Sequence, residues 1–226
     1  MATAMTEIFK TLGEGSMKKL FAALLCSLFF LSGSNLALAT QPSYEDVPDY
    51  EWYVEYVEEV TLRGWMTGVD ETHFSPDSPV TRAAVITVLW RMEGKPQPTA
   101  PASFTDIDPE DPEMWYDEAA AWAREAGVAS GYEDGAFRGN RPVTREELAS
   151  FLFKYAQYKG QPTAEGALGL FQDAEAISDW AEEAIRHVVG MGLIQGNDAG
   201  YLHPQSTAKR VELAAILVRM DTPAAG

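Results

Sequence analysis

Val143-Thr144-Arg145-Glu146-Glu147-Leu148-Ala149-Ser150-Phe151-Leu152 is the stretch on which the reading of this chain turns. Thr144 is a helix N-cap residue, Glu147 stands three residues on at the spacing of a capping box, and Leu148, Phe151, Leu152 and Tyr155 follow at i, i+3, i+4 and i+7. The spacing predicts an amphipathic helix opened by Arg145. Two further runs match it: Arg82 leads into Val85, Val88, Leu89 and Met92, and Arg210 into Leu213, Ile216, Leu217 and Met220. The three arginines lie 63 and 65 residues apart, and Trp52, Trp115 and Trp180 and Gly64, Gly127 and Gly192 keep the same two spacings. Three unrelated residue types holding one period mark duplicated structural units.

Outward from the arginine helix, each unit shows the same plan. After the tryptophan, Tyr53, Tyr56, Val57 and Val60 correspond to Tyr116, Ala119, Ala120 and Ala123 and to Ala181, Ala184, Ile185 and Val188, so a first amphipathic helix precedes the second. Between the two helices lies a loop with the glycine pair Gly64 and Gly68, Gly127 and Gly131, or Gly192 and Gly196, ending in Phe74, Phe137 or Tyr201. Glycine permits the positive φ that ends a helix, and the aromatic residue is expected to plug the loop onto the core. Linkers are expected at the proline-rich stretch 96–103 and at 160–167. The fold expected is mostly α: three helix-loop-helix repeats around a shared helical core, spanning 41–97, 103–160 and 168–222.

With 226 residues, 46% of them hydrophobic, the chain is long enough for one or two ordinary domains, and the tandem pattern favours three small units with one core. Its N-terminus, 1–39, reads as an export signal, with Met17 as the expected true start. Lys18 and Lys19 form a basic n-region, 20–31 is an apolar run too short to span a bilayer of ~30 Å, and Ala37-Leu38-Ala39 offers small residues for cleavage before Thr40. Cys26 sits inside the apolar run after Leu25, a poor match to a lipoprotein site, and would leave with the signal. No cysteine remains for disulfides, thiol catalysis or thiolate metal sites. Taking Lys10, Lys18, Lys19, Glu7 and Glu14 from the 17 bases and 34 acids leaves 14 and 32, a net charge of −18. Such a field repels nucleic acids and anionic lipid surfaces, so the expectation is a secreted protein with no nucleic-acid partner and no membrane insertion after cleavage.

The sharpest chemical signal is an arginine in the first helical turn, where the macrodipole already presents partial positive charge. An unfavourable choice made at Arg82, Arg145 and Arg210 alike points to an anionic partner for each. Free backbone amides beside a guanidinium fork would suit a carboxylate or phosphate. Two partners compete. Asp46, Asp106 and Asp173, two residues after the aromatic that opens each repeat, could pair with the arginines and pin the repeats together; the other candidate is an external acidic ligand. Glu147 is explained by capping alone, whereas the first repeat has Ala84 at the matching position and the third keeps Glu212 but replaces the capping threonine with Lys209. The tryptophans admit a sugar-stacking plate or, more commonly, a half-buried core anchor. Asp106-Ile107-Asp108-Pro109-Glu110-Asp111 lacks the glycine and distal glutamate of a calcium loop and reads as a solvated inter-repeat loop. His73, His187 and His203 have no mutual metal spacing and no accompanying nucleophile, and read as scattered surface residues. No metal, cofactor or catalytic function is expected.

In their ensemble these residues resemble the S-layer homology (SLH) repeat, whose hallmarks are an aromatic-x-Asp opening and a TRAE-like helix start. The second repeat offers Phe104-Thr105-Asp106, Trp115, Gly127, Gly131 and Val143-Thr144-Arg145-Glu146-Glu147; the first offers Tyr44-Glu45-Asp46, Trp52 and Val80-Thr81-Arg82-Ala83-Ala84; the third offers Phe171-Gln172-Asp173, Trp180 and Lys209-Arg210-Val211-Glu212. The resemblance covers about 44–221. It implies a pseudo-threefold spindle with grooves between repeats and noncovalent attachment to the bacterial cell wall or surface layer through a pyruvylated secondary cell wall polysaccharide. It also implies that Arg82, Arg145 and Arg210 read the pyruvyl carboxylate, that Asp46, Asp106 and Asp173 with Trp52, Trp115 and Trp180 shape the grooves, and that Glu147 and Glu212 belong to the ligand-binding set. The second repeat stands closest to the pattern. A structural or protein-interaction module without glycan binding is the alternative. With only a short tail after Met220 and no cargo domain, the chain is expected to act as a bare anchor, to display a partner noncovalently, or to come from a truncated gene.

Overall fold

The computed structural model describes residues 44–222; the stretch read as an export signal lies outside them. Each repeat contributes two α-helices: α1 (Val54–Leu62) and α2 (Arg82–Met92), α3 (Asp117–Glu125) and α4 (Arg145–Tyr158), α5 (Glu182–Gly190) and α6 (Arg210–Asp221). Short 3-10 turns at Leu168–Leu170, Ala174–Ala176 and Asp179–Ala181 lead into α5. No helix among the described residues is long and apolar enough to cross a membrane.

Each helix buries the stripe its spacing announced. Val57 and Val60 are buried on α1, Ala119, Ala120 and Ala123 on α3, and Ala184, Ile185 and Val188 on α5. On the second helices Val85 and Leu89, Leu148 and Leu152, and Leu213 and Leu217 do the same, within one continuous core. The packed pairs, however, straddle the repeats. α2 packs on α3, α4 on α5, and α1 on α6, so each arginine-led helix is covered by the first helix of the next unit and the first and last described helices close a ring. Arg63, the C-cap of α1, pairs with Asp221 of α6, and the Arg219 guanidinium lies 5.6 Å over the Tyr56 ring, at the seam where the ring closes. Between the first and second repeats Tyr155 donates to Glu93 at 2.5 Å and Lys159 to the same carboxylate at 2.8 Å.

A ring of three backbone hydrogen bonds sits between the units, just before the three arginine-led helices. Val80 N–H donates to the Ala208 carbonyl at 2.9 Å, Ala208 to Val143 at 3.0 Å, and Val143 to Val80 at 2.9 Å. All three residues are buried, so each donor would lose most of an amide hydrogen bond if its neighbour were missing. This ring is the backbone expression of the pseudo-threefold arrangement.

The two glycines of each pair do different work. Gly64, Gly127 and Gly192 have φ of 68°, 70° and 68° and end the first helices. Gly68, Gly131 and Gly196 have ordinary φ but no room: a Cβ would come within 2.6 Å of the Tyr44 ring, 3.0 Å of Phe104 or 2.7 Å of Phe171. The aromatic that opens each repeat packs against that glycine.

Two expectations are corrected. The plug of the third loop is Leu202, 1% exposed, and not Tyr201, which is 40% exposed; Leu202 is also the residue that lies 65 positions after Phe137. Nor are all the histidines on the surface. His187 is 1% exposed against the Phe153 ring, its Nδ1 accepts from the Ala164 amide at 3.1 Å, and its Nε2 has no partner among the described residues.

Candidate ligand grooves

The three arginines stand at the first position of α2, α4 and α6, behind Thr81, Thr144 and Lys209. Thr81 caps the Ala84 amide at 3.2 Å, and Thr144 forms a full capping box with Glu147. In the third unit Glu212 still accepts from the Lys209 amide at 2.8 Å, while the lysine side chain runs to Asp77 at 2.7 Å.

The amides expected to be free for an anion are already spent. Arg82 and Ala83 donate to the carbonyls of Arg141 and Gly139 at 3.0 and 2.9 Å, Arg145 and Glu146 to Ser206 and Pro204 at 2.9 and 3.0 Å, and Arg210 and Val211 to Ser78 and Pro76 at 3.0 and 3.0 Å. Each helix is thus capped by the loop of the following unit, in cyclic order. The guanidinium groups reach the same loops. Arg82 Nε donates to Phe137 O at 2.9 Å and its Nη2 to Ser130 O at 3.1 Å; Arg145 Nε donates to Leu202 O at 2.7 Å; Arg210 Nε donates to Phe74 O at 2.8 Å and its Nη2 to Thr67 O at 2.7 Å. At Arg82 and Arg210 carbonyl dipoles, not paired carboxylates, offset the cation at the positive end of the helix. Burial pushes the Arg82 and Arg210 guanidinium groups below the usual arginine range, though far too little to discharge them.

The aspartates do not pair with these arginines. Asp46 accepts from the Phe74 and Ser75 amides at 2.8 and 2.7 Å, Asp106 from Phe137 and Arg138 at 2.6 and 2.7 Å, and Asp173 from Leu202 and His203 at 2.8 and 2.7 Å. Ser75, Arg138 and His203 all carry positive φ, a conformation that the double acceptor stabilises. One buried residue in each loop is therefore clamped from both sides: its amide by the aspartate of its own repeat, its carbonyl by the arginine of the preceding one.

Trp52, Trp115 and Trp180 are 59%, 56% and 59% exposed, which corrects the core-anchor reading. The first groove gathers Arg82 from repeat 1, the Ser130-Gly131-Tyr132 loop with Glu147 and Lys154 from repeat 2, and Trp180 from repeat 3. The second, turned by one unit, gathers Arg145 from repeat 2, the loop around Gly196 with Glu212 and Arg219 from repeat 3, and Trp52 from repeat 1. They enclose about 220 and 510 Å³, the second within the range of small-ligand sites. The same rotation assigns Arg210, the loop of repeat 1 and Trp115 to a third groove, in which Ala84 takes the place of Glu147 and Glu212. A substitution at position 84 consequently concerns Arg210, not the Arg82 of its own repeat.

The second cation of each groove was missed in the sequence. Arg91, Lys154 and Arg219 follow the groove arginines by nine residues and keep the 63 and 65 spacings, so the period could have found them. Arg91 and Arg219 hold the Trp65 and Leu193 carbonyls at 3.2 and 3.2 Å.

The pairing of the nearby acids differs among the grooves. Glu212 forms an ion pair with Arg145. Glu147, its counterpart, is instead bound by Arg141 at 2.5 Å and does not reach Arg82. Elsewhere the aspartates of 106–111 are taken up by backbone amides: beside Asp106, Asp108 accepts from Glu110 at 3.0 Å and Asp111 from Glu113 at 2.9 Å. Glu146, buried at 3% exposure, accepts from Ser178 N and Oγ at 3.0 and 3.0 Å and from Gln205 at 2.8 Å, stapling repeat 2 to repeat 3.

Comparisons with known proteins agree with this architecture. An endoglucanase of Bacillus sp. (strain KSM-635) is 28% identical over 207 residues, covering 88% of this chain and 21% of the enzyme. The S-layer protein of Bacillus thuringiensis subsp. finitimus is 27% identical over 208 residues, 91% of this chain and 24% of its own length. A cellulosome-anchoring protein of Acetivibrio thermocellus is 27% identical over 182 residues, 80% of this chain and 39% of its own. The chain spans well under half the length of these relatives. The family profile of the S-layer homology domain matches residues 43–86, 103–149 and 170–214, one match per structural repeat. With more than half of its residues in these three matches, this chain belongs to the S-layer homology domain family.

Proposed function

We propose that this protein anchors noncovalently to the bacterial cell envelope by binding a pyruvylated secondary cell wall polysaccharide in its inter-repeat grooves. Family membership together with surface-layer and anchoring relatives supports anchoring at the cell surface. One observation carries the polysaccharide reading: in two grooves an exposed tryptophan from one repeat lines the same cleft as an arginine from another and a second cation from the third. A flat apolar ring beside paired cations suits a sugar bearing a carboxylate. Most of the relatives' length lies outside the match, so what an endoglucanase cleaves is not carried over. Nothing in the described grooves pairs a free acid with a free base across a substrate.

Sacculi retaining or stripped of pyruvylated polymer test this by cosedimentation. The purified protein should pellet with the first and stay in solution with the second. Trp180→Ala should weaken binding several-fold, and Trp52→Ala combined with Trp180→Ala far more than the product of the single effects if the grooves act on one polymer, because each bound groove raises the effective concentration at the next. Equal sedimentation with stripped walls would move the assignment to a protein-interaction or structural module.

A further inference from the structure

Arg145 has the fullest family motif but the least available charge. Its Nη1 is held by Glu212, a carboxylate from the next repeat, so the groove carries its own anion. Glu147 occupies the same helix position opposite Arg82, yet the Arg141 guanidinium draws it away at 2.5 Å, and Arg141 is further fixed by the Tyr132 hydroxyl at 2.9 Å. The residue that corresponds to Arg141 is Ser206 in the third repeat and Ser78 in the first. A serine cannot compete for Glu212, which therefore turns to Arg145. In the remaining groove Ala84 provides no carboxylate at all. The acid that bears on Arg210 is Asp46, whose two oxygens are occupied by the Phe74 and Ser75 amides.

We infer that the ligand carboxylate is read by Arg82 and Arg210 and that Glu212 closes the Arg145 groove to anions, with position 141 and its counterpart Ser206 deciding which state a groove takes. The inference rests on the carboxylate-bearing ligand proposed above and specifies which grooves serve it. An incoming carboxylate at Arg145 must displace a partner of equal charge already in place and leave Glu212 partly desolvated, whereas at Arg82 and Arg210 it adds a charge-assisted hydrogen bond with no such exchange. The roomier Arg145 groove is left for neutral sugar stacking on Trp52.

The test is an NMR titration of the full protein with 2,2-dimethoxypropanoate, a small ketal of pyruvate, following arginine Nε–H resonances. In the wild type the Arg82 and Arg210 signals should shift and saturate at concentrations at least fivefold below any response of Arg145. Glu212→Gln and Ser206→Arg should each bring Arg145 into the responding group, and Arg141→Ser should suppress Arg82. If Ser206→Arg fails to fold, Glu212→Gln carries the same question, since it removes the charge and keeps the shape. An Arg145 that responds as readily as Arg210 in the wild type, or stays silent in Glu212→Gln, overturns the inference, as does a titration in which no arginine responds. Graded arginines in a protein that sediments equally with stripped walls would retain the grading and remove the wall ligand; polymer-dependent sedimentation without grading would do the reverse.

Discussion

Asp106 shows how a single carboxylate can organise a site without touching a ligand. Its two oxygens hold the amides of Phe137 and Arg138, and Phe137 O in turn receives Arg82. Asp106→Ala should therefore cost about 1–3 kcal/mol, the scale of hydrogen bonds to a charged group with one position exposed, and should broaden the Arg82 Nε–H signal. Urea unfolding gives the first quantity and the resonance the second. His187 supplies the pH dependence. Burial holds its imidazole below the ordinary histidine range, so the folded state binds its proton less readily than the unfolded chain. Its contribution is intact above the unfolded pKa of about 6.5 and is lost as pH falls below it. The urea midpoint should decline between about pH 7 and pH 5, with less decline in His187→Gln. An equal slope in both proteins would assign the effect elsewhere. His73 behaves oppositely: its hydrogen bond to Asp70 raises its pKa.

At the scale of the element, the helix starts are where the repeats differ. α2 and α4 have threonine caps and α6 does not. Lys209→Thr should stabilise the protein, because a cap contributes about 1 kcal/mol and the lost Lys209–Asp77 pair, open to solvent, contributes well under that. A melting temperature unchanged or lowered would show that the lysine does more than fill the position. The helices themselves were legible, because amphipathic spacing is written in local order: the stripes at Tyr53, Tyr116 and Ala181 and those after each arginine all became helices. The arginine's partners were not. Aspartates and an external acid are the partners a sequence can offer, whereas a backbone carbonyl has no letter in it, and Phe137 O and Ser130 O lie some fifty residues on from Arg82. The tryptophans were undecided for the same reason. Exposure of Trp180 depends on the distance to a groove whose other walls come from repeats 1 and 2.

For the whole molecule the central question is how so acidic a protein meets an acidic polymer. Field and contact act over different distances. A net charge of −17 is screened beyond about 8 Å at physiological ionic strength, whereas a direct guanidinium–carboxylate contact is not. Raising NaCl from about 0.05 to 0.15 M should change wall binding less than about threefold, or strengthen it, since screening relieves the long-range repulsion first. A steep loss over that range would mean that unspecific attraction, not the grooves, holds the wall. The fold-level order was recoverable from the 63 and 65 spacings, but the ring closure of α1 on α6 and the cyclic hydrogen bonds of Val80, Ala208 and Val143 join residues too far apart for periodicity to reveal.

The three-way composition of each groove also bears on how such a protein can change by descent. One repeat lends its arginine to one groove, its loop and second cation to another, and its tryptophan to the last. A substitution that alters one unit is therefore inherited as different alterations in different places, and an exchange of one whole repeat between two family members would replace one wall of every groove without restoring any groove intact. Repeats that look interchangeable in a gene are bound to their neighbours' histories.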